Sequence, residues 1–129
     1  MKRFFLLILL AVALPVRAEL RVFACEPEWA ALVQELGGDK VSAWSATHAL
    51  QDPHRIEARP SLIARARNAQ LVVCTGAELE AGWLPAVLRE SGNAGVQPGR
   101  PGHFEAAALV ARLEIPLKLD RAEGDVHAS

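Results

Sequence analysis

A short apolar strand followed at once by a helical stripe, repeated down the chain, is the feature that most restricts what these 129 residues can fold into. Leu20-Arg-Val-Phe-Ala24 reads as a strand. Trp29, Leu32, Val33 and Leu36 then fall at i, i+3, i+4 and i+7, giving the following helix one apolar face before Gly37-Gly38 ends it. Val41–Ser45 is a second strand, and Leu62, Ile63, Ala66 and Ala69 mark a helix that starts near Ser61. Leu71-Val-Val-Cys74 is a compact, β-branched run of the kind buried between helix layers. Trp83, Leu84, Val87 and Leu88 define a third helix ending at Gly92, with Pro85 in its first turn, where a missing N–H costs little. Residues 93–102 form a Gly/Pro loop, 104–113 again read as helix, Pro116 stops that pattern, and 120–129 are polar without period. Such alternation predicts an α/β fold, an open parallel sheet flanked by helices.

In such sheets ligands gather at the carboxyl ends of the strands. Two segments leave from that rim: residues 46–60 after the second strand, and Thr75 to Glu80 after the third. The first contains Asp52-Pro53-His54-Arg-Ile-Glu57-Ala-Arg-Pro60. Pro53 fixes its own φ and pushes Asp52 out of the helical region, and Pro60 does the same to Arg59, so this loop holds its imidazole in few conformations. A neutral histidine so fixed is suited to a late divalent metal, with Asp52 or Glu57 holding its second nitrogen. A single histidine in a Pro-flanked loop is, taken alone, an ordinary surface residue. His48, six positions earlier, is a helper or a solvated strand-exit residue; Glu78 and Glu80 are carboxylate donors or solvated acids leading a helix. His103 reads as a helix-start residue, and Trp29, Trp44 and Trp83 as packing.

The N-terminus carries an export signal. Lys2-Arg3 is a positive n-region, residues 4–16 are apolar, and Val16-Arg17-Ala18 fits a cleavage site before Glu19. The apolar run is shorter than the ~20 residues that span a bilayer. Residues 1–18 are therefore expected to be removed and 19–129 to form one domain. That domain holds 11 basic against 15 acidic residues, a net charge of −4, with few aromatics and no basic stripe. This balance argues against nucleic acid or an anionic membrane as partner. Cys25 and Cys74 end the first and third strands, neighbours in the common doubly wound order, so an intrachain disulfide is expected in an oxidising compartment.

Together these residues carry a family resemblance. The export signal, the Leu20–Ala24 strand with its helix and Gly-Gly, Asp52-Pro53-His54 with Glu57 and Pro60-Ser61, then Leu71-Val-Val-Cys-Thr-Gly-Ala-Glu-Leu-Glu80 and Trp83-Leu84 resemble the periplasmic metal-binding subunits of zinc and manganese ABC transporters. The resemblance implies two α/β lobes joined by a long helix, with metal clamped between them, and makes His54 the first ligand. It further implies a periplasmic, monomeric carrier, not an enzyme, that delivers zinc (Zn2+), or in the alternative manganese (Mn2+), to an inner-membrane permease. The second ligand of that family sits in a Gly-Asn-Pro-His motif; here Glu123-Gly-Asp-Val-His127 approaches such a motif, but no Asn-Pro precedes His127. The chain is thus expected to be the first lobe only, cut before the linking helix and second lobe, and to bind metal weakly. The alternatives are a non-functional remnant, or a small exported thiol enzyme using Cys25 or Cys74.

Overall fold

A computed structural model of the chain describes residues 18–115, 117, 118 and 122; the expected signal segment, residues 1–17, and His127 lie outside them. Strands and helices alternate: β1 (Leu20–Ala24), α1 (Pro27–Gly37), β2 (Val41–Ser45), α2 (Pro60–Asn68), β3 (Leu71–Cys74), α3 (Leu84–Ser91) and β4 (His103–Glu105). The four strands form one sheet in the order β2-β1-β3-β4, and every pairing is parallel. The order reverses between β1 and β3. Right-handed crossovers then put α1 on one face and α2 with α3 on the other, and α2 and α3 do pack together.

The local signals act as their chemistry requires. Pro60 opens α2 after an extended Arg59, and Pro85 lies in the first turn of α3, which Gly92 ends in the left-handed region at φ 66°. Between the sheet and the α2/α3 layer lie Phe23, Leu62, Val72, Trp83, Val87 and Val96, all buried. Each such side chain contributes about 1.5–3 kcal/mol on leaving water. Phe23 joins the two aromatic neighbours, its ring centroid 5.6 Å from that of Trp44 and 6.4 Å from that of Trp83.

Two expectations need correction. The helix expected over residues 104–113 is instead strand β4 followed by a short 3-10 turn at Ala106–Leu109. Three alanines favour a helix locally, yet a helix of that length is marginal in water. The open edge of β3 offers better: Val72 N donates to Gly102 O at 2.8 Å, and Val73 lies opposite Phe104. Gly102 permits this approach, because a Cβ there would meet Gly95 O at 2.5 Å and Gln70 O at 2.9 Å. His103 consequently sits on a strand, bonded through Nδ1 to Val96 O and through Nε2 to Glu105 Oε1, each at 3.0 Å. The second correction concerns α1. It forms as expected, but none of its residues is buried, and Leu36 is 79 % exposed.

Candidate metal centre

Residues 52–55 are built around one carboxylate. Pro53, His54 and Arg55 make a single 3-10 turn whose N-cap is Asp52. Asp52 Oδ1 accepts from His54 N at 3.0 Å and pairs with His54 Nδ1 at 2.7 Å. The hydrogen bond to the His54 side chain comes first among the causes that hold the Asp52 carboxyl below its ordinary range, followed by the bond from the His54 backbone. An ionised Asp52 makes Nδ1 the protonated nitrogen, so the lone pair of the ring sits on Nε2. That tautomer can ligate a metal through Nε2. The turn is tied to the next layer by Trp83 Nε1, which donates to Pro53 O at 2.8 Å. His54 is one-fifth exposed, and Asp52 nearly half.

A second constellation lies at the carboxyl ends of β1 and β3. Cys25 and Cys74 are joined through their sulfurs, with Cα atoms 4.8 Å apart and both side chains fully buried. Beside them Glu26 and Glu80 are each only 3 % exposed. Thr75 N donates to Glu80 Oε1 at 2.9 Å and more weakly to Glu26 Oε2 at 3.4 Å, while Gly76 N donates to both oxygens of Glu80. Thr75 Oγ1 donates to Glu26 Oε2 and accepts from Trp29 Nε1 at 2.8 Å. Burial, with Glu80 and its charge alongside, pushes the Glu26 carboxyl up to about 8; burial also raises Glu80, against its backbone hydrogen bonds. One proton is therefore held in the pair near neutral pH.

The model of the family of periplasmic zinc-uptake complex component A matches residues 22–128. The chain belongs to this family. ZnuA itself, as a crystal structure, is 24 % identical and superposes at a TM-score of 0.54 over 59 % of this chain and 30 % of its own. The manganese-bound periplasmic metal-binding protein from Candidatus Liberibacter asiaticus is 16 % identical, with a TM-score of 0.60 over 84 % of this chain and 36 % of its own. A cadmium-bound form of that protein is 19 % identical at a TM-score of 0.51, over 66 % and 29 %. These likenesses establish the fold, a parallel sheet flanked by helices as in solute-binding lobes. The chain spans about a third of the length of the structures it matches. No curated protein sequence matches it.

In this member of the zinc-uptake component family, the residues singled out from the sequence fall in different places. His48 is exposed, its Nδ1 accepting from Leu50 N at 3.3 Å. Glu80 is a buried, hydrogen-bonded carboxylate, not the solvated acid that its place ahead of a helix suggests. Among the described residues, one set of three metal-ligating side chains has donor atoms within 4.8 Å of one another, and it is Cys25, Cys74 and Glu80. His54, His48 and Glu80 do not make such a set. Glu26 was not legible as part of the site, because a glutamate ahead of Pro27 reads as an ordinary helix N-terminal acid. Only the pairing of β1 with β3 brings it to Glu80.

Proposed function

We propose that this chain forms the first lobe of a periplasmic receptor that captures zinc for an ABC importer, and that His54 is the ligand it contributes. The observation that carries the reading is the 2.7 Å contact between Asp52 Oδ1 and His54 Nδ1, which leaves the lone pair of the ring on Nε2. Imidazole suits zinc, whereas manganese sites take more carboxylate, so zinc is the preferred cargo and manganese the alternative. Residues 1–18 act as the export signal and 19–129 as the lobe. Among the described residues no helix is long and apolar enough to cross a membrane. Delivery to an inner-membrane permease is the role the family supports, and the bond between Cys25 and Cys74 weighs against the thiol-enzyme alternative.

High-affinity zinc sites use three or four protein ligands. No second and third donor gather with His54 among the described residues, so this chain alone should hold zinc weakly, at roughly micromolar affinity or worse. Calorimetric titration with zinc under non-reducing conditions tests this, with His54→Ala beside the wild type. Weak binding that the variant lacks is the expected result. Nanomolar one-to-one binding would contradict the single-ligand reading, and equal binding by His54→Ala would remove His54 from the site.

A further inference from the structure

The Cys25–Cys74 bridge has unusual company. A disulfide that only cross-links two strands is best surrounded by apolar atoms, yet here a buried carboxylate stands against it: one donor atom each from Cys25, Cys74 and Glu80 lie within 4.8 Å of one another. Beside Glu80 is a second buried carboxyl group, Glu26, hydrogen-bonded to it. No Arg or Lys pairs with either acid among the described residues. Even with one proton held between them, the two carboxyl groups keep a negative charge withdrawn from water without a counter-cation, which is costly. A cation is the group that would neutralise that charge.

We infer that Cys25, Cys74 and Glu80 form a second, thiol-dependent site for a zinc-class divalent cation, closed when the cysteines are bridged and opened when they are reduced. The ligand chemistry is that of thiophilic d10 ions, two thiolates and a carboxylate, with Glu26 flanking. Tetrahedral zinc bond lengths put donor atoms roughly 3.5–3.8 Å apart, so the sulfurs need only separate, and Glu80 close in, by one to two ångströms or so. Reduction breaks the S–S bond and leaves a proton on each sulfur; a dithiol reductant is converted to its own disulfide in the same step. Cation binding then forms two metal–sulfur bonds and one metal–oxygen bond and releases both thiol protons. Glu80 is already placed to serve, because Thr75 N and Gly76 N fix its orientation as hydrogen bonds fix a ligating carboxylate elsewhere. This site uses none of the atoms of the His54 turn.

Cobalt(II) is the probe, added without oxygen to the purified chain before and after treatment with tris(carboxyethyl)phosphine. The phosphine takes oxygen from water to become its oxide, and the two hydrogens go to the sulfurs. The expected result is a thiolate-to-cobalt absorption band, at one ion per chain, in the reduced protein only, abolished by zinc and by Cys25→Ser. Glu80→Gln should weaken cobalt binding tenfold or more, and His54→Ala should leave the band in place. Absence of the band after reduction overturns the inference. So does a band of equal affinity in Glu80→Gln, which would describe two thiols in a loosened chain, and so does loss of the band in His54→Ala, which would assign the ion to the other turn.

Discussion

At the scale of single residues, the chain prepares its chemistry by setting carboxylates beside the groups they control. Asp52 does this over a distance of two residues, and its effect on His54 can be measured. Asp52→Asn keeps the shape and an acceptor oxygen but loses the charge that selects the Nδ1-protonated tautomer; zinc affinity should fall roughly 10–100-fold in calorimetric titration, with the circular dichroism spectrum unchanged. Glu26 makes a different prediction, through pH. Its folded pKa, raised by burial to about 8, exceeds its ordinary value of 4.5, so the native state binds more protons than the unfolded state between those two values. Stability from this group is therefore fully present below about pH 4.5 and is lost as pH rises through about 8. The melting temperature should decline by several degrees from about pH 5 to about pH 9, and Glu26→Gln should flatten that decline. An identical slope in the variant would place the titrating group elsewhere. Asp52-Pro53-His54 was legible in the sequence because donor, acceptor and stiffening proline are contiguous. The Glu26–Glu80 pair was not, because nothing in either segment announces which strand will lie beside which.

At the scale of elements, legibility followed how much of the deciding force was local. β1, β2 and β3 are apolar runs bounded by turn residues, and α2 and α3 are set by prolines at their starts and apolar spacing along them, so each is readable from its own residues. β4 is decided by a hydrogen-bonding edge supplied by β3, and its own sequence argues for a helix. α1 has the periodic stripe of a core helix but leaves it half uncovered, since spacing reports that a helix has an apolar face and says nothing of what meets it. The contrast between α1 and α2 is measurable. Leu62 on α2 is fully buried and Leu36 on α1 is 79 % exposed. Leu62→Ala should cost about 2–5 kcal/mol in urea unfolding, through lost contacts and the cavity left behind. Leu36→Ala should change stability by about 0.5 kcal/mol or less. A large loss at Leu36 would mean that α1 is covered in solution.

For the whole molecule, the connection that matters most is the one between β1 and β3, where the strand order reverses. The cysteine and glutamate constellation depends on it: it sets the Thr75 loop against Glu26, brings the carboxylates together and places the two cysteines within bonding reach. Cys25 and Cys74 are separated by 49 positions in the chain, so the bridge restricts nearly half of the unfolded domain. In the chain-entropy account a loop of that length contributes about 4 kcal/mol. A domain of this size has roughly 5–15 kcal/mol in total, so the bridge is a large fraction of the stability without being all of it. The double variant Cys25→Ser/Cys74→Ser should accordingly remain folded in buffer. With a urea dependence near 2 kcal/mol per molar, its unfolding midpoint should fall by about 2 M relative to the oxidised chain. Reduced wild-type protein without metal should fall by a similar amount, and zinc should restore more of the loss in the reduced wild type than in the double variant, which keeps only the weaker His54 site, because a cation bound to the native state alone stabilises it in proportion to its concentration over its Kd. An unchanged midpoint in the double variant would show that the bridge constrains little. Equal recovery with zinc in both proteins would assign the stabilising ion to a site that does not use the two sulfurs.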